Sequence, residues 1–162
     1  MITSNILLSR EAIQSCVSNC ASWINSLKLA NLVVCPVMQS SAYFSVDVLR
    51  SLPETVKVDF AGVLRYDGDN MHMYKAPDFE LVKNANVVVI DVLASTGKSI
   101  DNLSKIINQI GANKVYKAVL LKRQFCTIHI DWVGKVISDE DVYGYGLDID
   151  SQHRNINAIY YE

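Results

Sequence analysis

Two hydrophobic periods run through this chain. Residues 32–37 (L-V-V-C-P-V) and 86–91 (N-V-V-V-I-D) are short, nearly unbroken aliphatic runs, as a strand covered on both faces requires. Between such runs the spacing changes to three and four. Behind Ser9, a good N-cap, Ala12, Cys16, Cys20 and Trp23 or Ile24 recur at helical intervals, predicting a helix to about Leu27. A second helix is expected over 42–52. Residues 56–66 are β-rich, with Val58, Phe60 and Leu64 expected on one face; a turn at 67–70 contains Gly68, and a short strand covers 71–75. The strand at 86–91 leads into a helix over 97–110 that Gly111 ends as a C′ glycine. Further strands are expected at 114–122, 132–136 and 158–161. With no repeat, low-complexity tract or linker, residues 1–162 read as one domain. Strands alternating with helices predict an α/β fold with a mostly parallel sheet and a ligand site at the strand carboxyl ends.

The segment 86–100, N-V-V-V-I-D-V-L-A-S-T-G-K-S-I, carries the chemistry. A buried strand runs into an acid, Asp91, then a hydroxyl-rich turn, Ser95-Thr96-Gly97-Lys98-Ser99, at the start of a helix. Free backbone N–H groups and the positive end of the helix dipole converge at such a turn, which suits a phosphate. The turn ends G-K-S but is no P-loop, because the position needing the first glycine is Val92. No G-x-G-x-x-G occurs, so a dinucleotide site has no support. Taken alone, the turn is equally compatible with phosphate binding and with simple capping.

Composition narrows the field. Of 162 residues half are hydrophobic and a fifth charged, which is globular. The net charge of −2 gives no footprint for nucleic acid or an anionic membrane. The apolar runs fall far short of the roughly 20 residues of a membrane span, and no signal peptide is visible at the N-terminus, so a cytoplasmic protein is expected. Cys126 and His129 form one C-x-x-H pair, but no second pair matches it; Cys16, Cys20, Cys35 and Cys126 are expected as reduced, mostly buried thiols.

Several motifs in order resemble the type I phosphoribosyltransferases, and among them the hypoxanthine-guanine phosphoribosyltransferases. These are Ile6 to Gln14 opening the first helix, Leu32 to Asp47, the triplet Val58-Asp59-Phe60, Leu120-Leu121-Lys122-Arg123, Gly144-Tyr145-Gly146-Leu147-Asp148, and Arg154-Asn155-Ile156-Asn157. The resemblance implies a twisted, mostly parallel sheet flanked by helices, with a small hood formed by the terminal segments. It implies that Ser95, Thr96, Gly97, Lys98 and Ser99 hold the 5′-phosphate of a ribose and that Asp91 faces the ribose hydroxyls, directly or through magnesium. Lys122 and the backbone of Val142 would meet the base; Ser40 and Arg154 would meet pyrophosphate; Asp148 would hold Mg2+. The ligand would be phosphoribosyl pyrophosphate or a nucleoside monophosphate, and the partner a second copy of the chain, with neither nucleic acid nor membrane involved.

The chain departs from the family pattern at the positions that handle the base. The family's strand ends in two acids and carries a third before T-G; here those positions are Asp91, Val92 and Ser95. Serine cannot be the proton partner of purine N7 at neutral pH, and general acid–base help is worth about a hundred- to ten-thousand-fold. Gln39 stands where the family has a lysine, Asp141 where it has a stacking aromatic, and Arg65-Tyr66 where it has a Ser-Tyr lid pair. Tyr143 and Tyr145 could face the core, or one could supply the missing stack. Two functions are therefore expected as alternatives: a purine-type phosphoribosyltransferase with altered or weakened base transfer, or a non-catalytic nucleotide-binding sensor on the same fold.

Overall fold

The computed structural model describes residues 5–67 and 70–162, with the side chains of 64–71 outside the described part. Its elements are β1 (Asn5–Leu8), α1 (Arg10–Ser26), β2 (Leu32–Met38), α2 (Ala42–Arg50), β3 (Lys57–Val58), β4 (Ala61–Asp67), β5 (Asn70–Lys75), α3 (Phe79–Val82), β6 (Asn86–Ala94), α4 (Lys98–Ile110), β7 (Lys114–Arg123), β8 (Trp132–Ile137), β9 (Val142–Tyr143) and β10 (Ile159–Tyr161). Seven strands form the main sheet in the order β5-β4-β2-β6-β7-β8, with β3 also on β2. Every pairing in it is parallel except β4 with β5.

The sheet separates two apolar layers. Val34, Val88, Ile90, Val92 and Leu120 face Ile13, Val17, Ile24 and Phe44 from α1 and α2. Val33, Cys35, Val87, Val89 and Val119 face Ile100, Leu103 and Ile107 from α4. β6, central and covered on both sides, needs the continuous aliphatic run its sequence shows. Ser9 caps α1 as its spacing predicts, accepting the Ala12 N–H at 3.2 Å. The terminal segments form a second, antiparallel sheet, β1-β10-β9, which is the expected hood.

The structure corrects the reading of 56–66. The strand is broken at Asp59–Phe60, and the alternation is inverted there: Val58 and Phe60 are each 36% exposed, while Asp59 is 5% exposed. Asp59 is buried because it is satisfied. Its N–H donates to Val34 O, and its carboxylate accepts from Lys75 Nζ and the Asp78 N–H. Leu64, Gly68 and the pair Arg65-Tyr66 lie, as side chains, outside the described residues. No helix among the described residues is long and apolar enough to cross a membrane.

Candidate active site

The site lies at the carboxyl ends of β2 and β6. There the chain must leave the sheet, and the backbone groups of the loops that follow have no ladder partner. After β6 it turns through Ser95–Thr96–Gly97 into α4. Gly97 is the N-cap residue with φ +79°, a left-handed conformation that disfavours side chains. Space forbids one as well: a Cβ at 97 would stand 2.9 Å from Cys126 Sγ and from Ile128 Cβ. Gly97 has no side chain to cap the first turn of α4, and the Lys98 N–H there donates to Thr96 Oγ1 at 3.4 Å, a long bond within the loop itself. Asp91, Leu93, Ala94 and Ser95 to Ile100 enclose a pocket of about 90 Å3 there. Liquid water occupies about 30 Å3 per molecule, so the pocket has room for an anion of several heavy atoms.

A larger cleft of about 510 Å3 adjoins it and shares Asp91 and Ser99; its other lining residues include Gln39, Ser40, Val63, Tyr74, Asp148 and Arg154. The C-terminal loop reaches this cleft through Gly146. A Cβ there would come within 2.0 Å of the Ser40 carbonyl oxygen, so only glycine allows the two backbones to meet. Gly146 N–H donates to Arg154 O at 2.9 Å, and Arg154 Nη1 donates to Gly146 O at 2.6 Å. Arg154 Nη2 then pairs with Asp148 Oδ1 at 2.7 Å, while Asp148 Oδ2 accepts the Ser151 N–H.

Asp91 is the electrostatically unusual group. It is 7% exposed, and its nearest compensation is the Val92 N–H at 2.7 Å. Burial pushes its carboxyl up to about 7, opposed by the amides of Val92 and Leu93. Val92 itself is fully buried in the α1–α2 layer and faces away from the cleft.

The structure thus brings Ser40, Asp91, Ser95, Thr96, Gly97, Lys98, Ser99, Asp148 and Arg154 to two adjoining cavities. It places Lys122 and Val142 elsewhere. Lys122 is half-buried on β7 opposite Ala94 and Val136, and is not among the described residues lining either cavity. Val142 pairs with Tyr161 in the hood, with its side chain in the core. Arg123, next to Lys122 on β7, is buried and donates to Ser138 O and Asp139 Oδ1. Tyr143 and Tyr145 resolve toward the core: Tyr143 stacks on Tyr160 with centroids 5.6 Å apart, and the Tyr145 hydroxyl donates to Asp47 at 2.6 Å. Cys126 is buried behind Gly97, and His129 is exposed and faces Asp131. Sequence reasoning passed over Tyr74 as a site residue; its only signal was an aromatic in a short edge strand.

This architecture has many known counterparts. The chain is 28% identical to the hypoxanthine-guanine phosphoribosyltransferase of Staphylococcus epidermidis, over 96% of this chain and 91% of that one. It is 24% identical to the hypoxanthine phosphoribosyltransferase of Haemophilus influenzae, over 96% and 93%. The crystal structure of a hypoxanthine phosphoribosyltransferase from Staphylococcus aureus superposes with a TM-score of 0.88 at 25% identity, covering 96% of this chain and 90% of that one. A hypoxanthine-guanine phosphoribosyltransferase from Bacillus anthracis shares the fold at 23% identity and a TM-score of 0.89. Nothing in these likenesses favours the non-catalytic alternative. The sequence model of the phosphoribosyl transferase domain matches residues 3–151, nearly the whole chain and both cavities apart from Arg154, and the chain accordingly belongs to that family.

Proposed function

We propose that this protein is a phosphoribosyltransferase that binds phosphoribosyl pyrophosphate or a nucleoside monophosphate and transfers the phosphoribosyl group weakly to 6-oxopurines. The observation that carries the reading is the loop at 95–99 at the start of α4, which lines a pocket of about 90 Å3 adjoining the cleft through Asp91 and Ser99. In this reading the loop amides and the Ser95, Thr96 and Ser99 hydroxyls hold the 5′-phosphate. Asp91 faces the ribose hydroxyls. Ser40 and Arg154 meet pyrophosphate, while Lys122 on β7 and the Val142 backbone in the hood, both outside the lining of the two cavities, meet a base that projects beyond them.

Displacement at ribose C1 breaks the bond to pyrophosphate oxygen and forms one to a base nitrogen, through an oxocarbenium-like state. Such a reaction depends on charge stabilisation more than on an activated nucleophile. Mg2+ bound with the substrate would neutralise pyrophosphate charge. The donor set fits that ion: Mg2+ is commonly held by one or two carboxylates together with substrate phosphates, and Asp91 and Asp148 open on one cleft. Asp148 is the carboxylate that would serve it, and Arg154, now paired with Asp148, would turn toward pyrophosphate. The same reading carries the expectations of a cytoplasmic location and of a second copy of the chain as partner.

Weak purine transfer follows from Ser95, which offers no carboxylate to the base. Incubation with phosphoribosyl pyrophosphate, Mg2+ and a panel of bases should release pyrophosphate slowly with hypoxanthine or guanine. Ser95→Asp should raise that rate at least about ten-fold, a conservative share of what acid–base help contributes. Restoring an acid at Val92 as well would not help, since its side chain points into the core. No pyrophosphate release with any base, by either protein, would refute transfer.

A further inference from the structure

Tyr74 is built into the cleft by two features of the β4–β5 hairpin. Gly62 is opposite Lys75 and Val63 is opposite Met73, so Tyr74 is the extra residue of a β-bulge. Bulges bend a strand locally and re-aim a side chain. The ring lies directly over Gly62: a Cβ there would stand 2.3 to 2.6 Å from three of its ring carbons, so the absence of a side chain at 62 is what gives the ring its seat. Held in this way, Tyr74 is nonetheless 51% exposed and lines the polar cleft beside Gln39, Asp91, Asp148 and Arg154. A half-exposed aromatic fixed in a polar cleft leaves apolar surface in water, and a ligand face can supply the missing burial. It is the aromatic residue among the described lining of the cleft, Tyr143 and Tyr145 being committed to Tyr160 and Asp47.

We propose that Tyr74 is a ligand-contacting residue whose ring forms the apolar wall of the cleft against the sugar–pyrophosphate end of the substrate. The end of the ligand is set by sheet order. Tyr74 stands on the β2 side of β6, with Ser40 and Gln39 between, whereas Lys122 lies across β6 on β7. The ring therefore packs on the ribose and its pyrophosphate arm and does not replace the aromatic that stacks on the base. This assignment rests on the proposed function and adds a residue to it.

The test is calorimetric titration of wild type, Tyr74→Ala and Tyr74→Phe with magnesium phosphoribosyl pyrophosphate and, separately, with ribose 5-phosphate. Tyr74→Ala should weaken phosphoribosyl pyrophosphate about ten-fold, as expected from losing about 50 Å2 of apolar contact. Tyr74→Phe keeps the ring and should stay within about two-fold. Ribose 5-phosphate, anchored on the 95–99 loop, should change by less than about three-fold in either variant. Unchanged phosphoribosyl pyrophosphate affinity in Tyr74→Ala overturns the assignment of Tyr74 alone. A loss in Tyr74→Phe as large as in Tyr74→Ala moves the contact to the hydroxyl and overturns the role of the ring. Failure of wild type to bind either compound defeats the proposed function, and this inference with it.

Discussion

At the scale of single residues the site is governed by what each carboxylate is allowed to face. Asp91 is buried with amides for company and no cation among the described residues bonded to it, so burial pushes its carboxyl up to about 7 where an exposed aspartate would be near 4. The unfolded chain loses this proton near pH 4 and the folded chain only near pH 7. Between those values folding binds a proton, and stability falls as pH rises; above about 7 the loss is complete. Thermal melts from pH 4 to 8 should therefore show Asp91→Asn gaining on wild type across that window and holding a constant lead above it. Parallel profiles would mean that the carboxyl is not buried in solution. Residue identity made Asp91, Asp148 and Arg154 legible from sequence motifs. The Asp148–Arg154 pairing was not legible, because it depends on how a loop closes through Gly146. Nor was the burial of Asp59, which needs Lys75 and the Asp78 amide, partners sixteen and nineteen positions away.

At the scale of elements, the strand–loop–helix unit β6–α4 carries the account. β6 was readable because a strand buried on both faces must be continuously aliphatic, and α4 because its buried Ile100, Leu103 and Ile107 recur at three and four. The short elements were missed for the opposite reason. β9 has two residues and α3 four, too few for any period to show, and β1 is held by its pairing with β10 at the far end of the chain. Gly97 is where the unit is most sensitive. Gly97→Ala places a methyl group against Cys126 and Ile128 in a left-handed backbone. It should cost about 1–3 kcal/mol in urea unfolding and abolish ribose 5-phosphate binding, because the helix start shifts away from the pocket. A variant that retains both stability and binding would show that the loop does not depend on this conformation.

At the scale of the whole molecule, the proposed function draws on three separate parts that meet at one cleft: the ends of β2 and β6, the hairpin β4–β5 and the loop after β9. The parallel order of the main sheet and the terminal hood could be expected from the motifs that follow one another along the chain. The inward turn of Tyr74 could not, because a bulge depends on register and leaves no mark on a single strand's sequence. The claim on which the rest depends is that the loop at 95–99 holds a sugar phosphate next to Asp91. Titration of the wild-type protein with magnesium phosphoribosyl pyrophosphate measures this most directly. Saturable binding is expected, with a Kd between about 1 μM and 1 mM, the range usual for enzyme KM values, and with competition by ribose 5-phosphate. No binding at millimolar ligand, or binding that ribose 5-phosphate does not displace, would contradict that claim.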